Sequence, residues 1–319
     1  MPELRAAIAG HVAFVRAVVC NTDDLVITSG AQQAFDLLAR LLVTPGETRV
    51  AVENPGYPST RGAFLAAGAK LVPVPLDEEG LRVDRIPDDA KVICVTPSHQ
   101  SPTGVIMSSA RRAALLARAH ALDAVVIEDD YDGEFLYDSR PHDALQTLDR
   151  EGRVFYVGTF SKSLFPALRK GFVVAPDWAR EALVDIKYST DSHTDIIQQA
   201  TLAAFIAEGH LARHIRRMRP VYSQRRRAFE HGAQEHWSKF MEIRPGNAGL
   251  HLSTRITNPA LTDSIIAHAR EHLPGALPLS AYSAAPLKQQ GLCIGYGGVE
   301  VNQITSAVRA LGIACSKRR

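Results

Sequence analysis

The chain's 319 residues are 46% apolar and 22% charged, with 22 Gly and 18 Pro, a composition of ordinary globular material that excludes collagen-like, low-complexity or wholly disordered organisation. A count of 36 basic against 34 acidic residues leaves a net charge of +2, too weak a field to recruit nucleic acid or an anionic membrane by itself. No apolar run approaches the ~20 residues of a membrane span, Glu3, Arg5, His11 and Arg16 interrupt any leader sequence, and Cys20, Cys94, Cys293 and Cys315 lie scattered without a C-x-x-C pair, so a cytoplasmic protein with reduced thiols is expected.

From the N-terminus, 1–19 reads as a helix. Apolar runs at 25–28, 49–53, 71–75, 92–96, 124–128, 154–158 and 172–175 then read as strands, and helical periodicity at 31–42, 57–67 and 109–122 as the helices between them. This alternation predicts an α/β fold, a mostly parallel central sheet with helices on both faces. Past residue 178 the strand signals stop, and 178–188, 195–208 and 210–236 read as helices, with Pro220 expected to kink or break the last. Short strands near 242–244, 249–253 and 292–295, with helices near 263–272 and 302–311, predict a smaller C-terminal α/β domain. No linker or internal repeat is visible, so the expected division is a large domain at 20–209 and a small one at 210–319, joined by the helix at 1–19.

In open α/β sheets, ligands bind beyond the carboxyl ends of the strands, and four predicted strands run there into polar sequences. The first enters Ser29-Gly30-Ala31-Gln32 and a helix, leaving amide groups at the positive end of the helix dipole, a phosphate cup or an ordinary Ser cap. Another enters Pro97-Ser98-His99-Gln100-Ser101-Pro102. A third ends in Asp129 and Tyr131, two apart and so on one face, with Glu128 and Asp130 on the other. The fourth enters Thr159-Phe160-Ser161-Lys162, with Arg169 seven residues on. A lysine held there in a dry pocket among hydroxyls, with an arginine suited to phosphate, can attack an aldehyde.

Two clusters point elsewhere. Arg213, Arg216, Arg217, Arg219, Arg225, Arg226 and Arg227 crowd one helix, but without interleaved aromatics or a DNA-binding module they read as a solvated face, and no nucleic-acid partner is expected of this chain. His210 and His214 have helical spacing yet lack the Glu of H-E-x-x-H and sit among cations, so no metal site is expected.

The stretches SGAQQAFDLLARLL, ENPGYP, VTPSHQSPTG, IEDDYDGEF and VGTFSKSLFPALRKGF resemble the fold-type I pyridoxal-phosphate (PLP) enzymes of the class I/II aminotransferase family. More narrowly, they resemble the aminotransferase-like domain of MocR-type GntR regulators, where such a domain follows a winged-helix DNA-binding module. The resemblance covers nearly the whole chain in order and implies a fold-type I PLP-dependent transferase. It implies Lys162 as the lysine that forms a Schiff base with PLP and shuttles protons, Asp129 paired with the ring nitrogen and Tyr131 bonded to the ring's phenolic oxygen. It further implies Tyr57 stacked on the ring, and Gly30, Ala31 and Gln32 with Thr159 or Ser161 and Arg169 around the phosphate. A homodimer is implied because family sites are shared between subunits.

Three departures from the family pattern bear on function. Ser101 stands where aminotransferases carry Asn before Pro-Thr-Gly, leaving His99 or Gln100 to bond the phenolic oxygen or His99 to a purely structural role. Cys293 stands where an arginine commonly clamps the substrate carboxylate, which weakens the expectation of a general α-amino-acid transaminase; Arg255 is a possible replacement. The chain starts at Pro2-Glu3-Leu4-Arg5, within what is normally the first helix, so neither the usual upstream segment nor a winged helix is expected. Two functions remain open: amino-group transfer between PLP and a small amino compound, or a PLP-dependent effector domain that senses PLP or an amine.

Overall fold

The computed structural model describes residues 1–137, 143–246 and 248–316. The larger sheet holds β1 (Leu25–Thr28), β2 (Arg49–Asn54), β3 (Lys70–Asp77), β4 (Gly80–Leu81), β5 (Ala90–Val95), β6 (Val125–Asp130), β7 (Val154–Thr159) and β8 (Gly171–Val174), in the order β1-β8-β7-β6-β5-β2-β3-β4. The run β7-β6-β5-β2-β3 is parallel. Because β8 is antiparallel to both β7 and β1, β1 points the same way as β7 and its carboxyl end reaches the same rim. The smaller sheet is antiparallel, with β9 (Met241–Ile243), β10 (His251–Ile256), β11 (Leu277–Pro278) and β12 (Leu292–Gly295) in the order β11-β12-β10-β9.

The helices are α1 (Pro2–Arg16), α2 (Ala31–Leu42), α3 (Pro58–Ala66), α4 (Ser109–Ala121), α5 (Leu145–Leu148), α6 (Arg180–Asp191), α7 (Ile196–Ala207), α8 (His210–His236), α9 (Thr262–His272) and α10 (Val301–Ser316). Strand alternation divides the large core in two. Val50, Val52, Val92, Ile127, Phe155 and Val157 face α2 and α6 through Phe35, Leu37, Leu38 and Leu183, while Ala51, Ile93, Val95, Val126 and Val154 face α4 through Leu115 and Ala119. Each large apolar side chain so buried contributes about 1.5–3 kcal/mol relative to exposure. A third core joins α1, α8 and the smaller sheet through Leu4, Ile8, Val12, Ile215, Phe229, Leu252 and Ile294. Among the described residues, no helix is long and apolar enough to cross a membrane.

Three expectations need correction. Helix α8 runs unbroken through Pro220: the backbone bond that proline forfeits is offset by the buried flank of Leu211, Ile215, Tyr222 and Phe229. The arginine cluster is not one solvated face, because Arg225 and Arg226 are buried and paired with Glu300 and Glu230 at 2.6 and 2.8 Å. Strand β6 continues to Asp130, past the expected end at 128. Asp129 and Asp130 pair with Val157 and Gly158, and the Asp130 carboxylate accepts from Arg16 at 2.5 Å and from the Tyr156 hydroxyl at 2.8 Å.

Candidate active site

The carboxyl ends of β1, β5, β6 and β7 open on a cavity of about 380 Å³. Ala31, Gln32, Tyr57, Asp129, Tyr131, Thr159, Ser161, Lys162 and Arg169 line it, facing Leu250, His251, Tyr282 and Cys293 from the C-terminal part of the chain. Gly30 and His99 stand behind this wall rather than in it. A Cβ on Gly30, whose φ is +78°, would lie 2.9 Å from the Arg169 guanidinium, so glycine lets that cation lie against the turn. Arg169 also donates to the Ser29 carbonyl at 2.8 Å. Helix α2 starts at a Gly30 N-cap with no side-chain capping bond, which corrects the Ser-cap alternative and leaves the first amides available to an anion. Thr159 and Ser161 bring their hydroxyls within 3.0 Å of each other on the same side.

Asp129 is buried, and among the described residues its Oδ1 has no hydrogen-bond partner. Burial, then Asp130, Asp132 and Glu53, push its carboxyl well above the usual range, while Lys162 pulls it back. Such a group ionises when a cationic donor is set beside it. Lys162 itself is exposed at the cavity rather than enclosed in a dry pocket, since a lysine hydrates its amine where it can.

From the wall, Tyr131 donates its hydroxyl proton back to the His99 carbonyl at 2.7 Å, and burial pushes its phenol well above the ordinary value. Gln100 does not face the cavity, because its amide is spent on Glu53, Pro55 and Ser101 and its carbonyl on Thr103. The His99 Nδ1–H donates to Asp132 Oδ2 at 3.0 Å, and that oxygen also accepts from the Leu250 amide at 3.2 Å. Burial pushes the Cys293 thiol up to about 11. Arg255 does not reach in to replace a clamp: it is exposed and salt-bridged to Glu242. His210 pairs with Glu208 and accepts from Arg213.

Sequence reasoning missed Asp132, His251, Tyr282 and Glu53. Asp132 sits inside the IEDDYDGEF stretch, and His251 opens a strand whose alternation shows that its side chain shares a face with Ser253, so pattern alone could have flagged both. Tyr282 carries no such signal.

The donor set fits PLP. A buried carboxylate oxygen lacks a partner, a helix N-terminus is uncapped beside hydroxyls and a guanidinium, and a lysine opens into the same cavity. Comparison with known proteins agrees. The family model for aminotransferase class I and II matches residues 1–270. The probable rhizopine catabolism regulatory protein MocR of Rhizobium meliloti is 37% identical over 97% of this chain and 63% of its own length. Aromatic-amino-acid aminotransferase 1 of Thermococcus litoralis is 33% identical over 73% of this chain and 58% of its own. The chain therefore spans about two thirds or less of these relatives. The kynurenine aminotransferase of Pyrococcus horikoshii, solved with PMP, superposes with a TM-score of 0.91 at 28% identity, covering 99% of this chain and 80% of that one. The chain belongs to the class I and II aminotransferase family.

Proposed function

We propose that this chain binds PLP in the cavity, held by Lys162, and moves an amino group between the cofactor and a small amino compound. Bound there, PLP supplies a reactive carbonyl and an electron-withdrawing ring. Asp129 Oδ1 accepts the ring N–H and keeps that nitrogen charged. Tyr131 turns its hydroxyl proton from the His99 carbonyl to the phenolic oxygen, and Tyr57 covers the ring. The Ala31 and Gln32 amides with Thr159, Ser161 and Arg169 hold the phosphate, and Lys162 Nζ takes and returns the proton at the reacting carbon. The observation that carries this reading is the orphaned Asp129 oxygen in a cavity shared with Lys162.

A second reading, an effector domain that binds PLP or an amine and signals by shape, is supported by the regulators that align with nearly the whole chain and by Cys293 at the clamp position. A homodimer is what membership of the aminotransferase family suggests, and sedimentation velocity tests it. Protein loaded with PLP should show a visible absorption band and a borohydride-trapped adduct, both lost in Lys162→Ala. Because Lys162 is exposed, its removal should change stability by less than about 0.5 kcal/mol. An adduct retained in the variant refutes the assignment. Amine-driven turnover supports transfer, and binding without turnover supports the effector reading.

A further inference from the structure

The wall of the cavity contributed by the C-terminal sheet has a polarity of its own. His251 pairs with Gly295 and Ser253 with Cys293, so His251 and Cys293 are diagonal neighbours on one face of the sheet. Both line the cavity with Lys162. The His251 ring lies 4.3 Å from that of His99, centroid to centroid, and its Nε2 lies 3.2 Å from the Pro102 carbonyl. A carbonyl only accepts, so Nε2 carries the proton. Burial, then His99 and Lys162, hold the imidazole pKa well below its ordinary value, which leaves Nδ1 with a lone pair. Among the described residues, no protein donor reaches that nitrogen. Asp132, also in the cavity wall, adds an acidic group, and among the described residues that line the cavity the one arginine is Arg169, beside the start of α2. A substrate carboxylate placed here would meet an acid and a lone pair, whereas a hydroxyl or ammonium would meet acceptors.

We propose that His251 is a specificity residue of this cavity: its Nδ1 accepts a hydrogen bond from an amine substrate that carries a second donor, a hydroxyl or ammonium, and no α-carboxylate. His99, bonded to Asp132, packs against the His251 ring from outside the cavity lining and positions it. The inference rests on the reading that PLP and an amine meet at Lys162.

Three amines of one carbon skeleton test it: 2-amino-1,3-propanediol, isopropylamine and L-alanine, each titrated against the visible band of the PLP-loaded protein to give a Kd. The aminodiol should bind about tenfold more tightly than isopropylamine, the increment of one hydrogen bond, and alanine should bind most weakly. His251→Phe should abolish the aminodiol's advantage while leaving isopropylamine unchanged, and His251→Asn, which keeps an acceptor near Nδ1, should retain it. His251→Leu replaces the Phe variant if that one does not fold. An advantage that survives in the apolar variants, or alanine outbinding the aminodiol in the wild-type protein, overturns the proposal. If no visible band forms in wild-type protein, the underlying reading fails and the proposal with it. If the band forms and the amines bind without this order, the specificity assignment alone fails.

Discussion

Gly249→Ala isolates the contact that seals the two halves of the site. Gly249 has φ +71°, and a Cβ built there lies 2.0 Å from His99 Nδ1 and 2.4 Å from Asp132 Oδ2. The loop cannot swing aside, because the Gly249 amide donates to the Phe135 carbonyl at 2.7 Å and its carbonyl accepts from the Tyr137 and Tyr296 hydroxyls, each at 2.5 Å. Left-handed backbone costs alanine about 1–2 kcal/mol, and parting a buried hydrogen bond to a carboxylate costs about 1.5–3 kcal/mol more. Together these reach the lower end of the stability of an ordinary domain, about 5–15 kcal/mol. Gly46, at φ +76° with nothing within 4 Å of its Cβ position, supplies the control: Gly46→Ala should show the backbone cost alone. Urea unfolding of both variants measures the difference. If Gly249→Ala is within about 1 kcal/mol of Gly46→Ala, the buried pair does not seal the site as argued.

Glu53, buried and raised by that burial to about 7, accepts from Thr96 and Gln100. The folded chain holds a proton that the unfolded chain releases between pH 4.5 and about 7, so stability should fall by about 3 kcal/mol as pH rises through that window. Glu53→Gln keeps an acceptor and cannot ionise, so its urea-derived stability should exceed wild type's at pH 8; parallel pH profiles would refute the assignment. Asp129→Asn should still take up PLP but slow the amine-driven loss of the visible band about a thousandfold in stopped flow. An unchanged rate would transfer the role to another acid. Cys293→Arg should tighten L-alanine binding by tenfold or more, as expected of a charge-assisted pair, and no gain in the same titration would mean that the carboxylate does not approach this strand.

The strands and motifs were legible because they are local. Four- to six-residue apolar runs and 3.6-residue periodicity are set by near neighbours, and Ser29-Gly30, Asp129-x-Tyr131 and Thr159-x-Ser161-Lys162 each sit at the end of one such run, so parallel strands bring them to one rim. The cavity lining contains all of these apart from Ser29 and Gly30, the latter just behind Arg169. Periodicity carries no strand direction, so the antiparallel β8 that carries β1 to that rim had to come from pairing. Short elements such as β4, β11 and α5 are too brief to show a period. Pro220 reads as a breaker because its missing bond is local, while the packing that keeps α8 continuous is not. Asp132 meets Leu250 across 118 residues of chain, His251 reaches Pro102 across 149, and Arg225 finds Glu300 across 75. The sequence alone determined which side chains could carry the chemistry. Tertiary packing decided which of them face the cavity and which are consumed behind it, because a side chain's hydrogen-bond partner and burial depend on residues that only folding brings near.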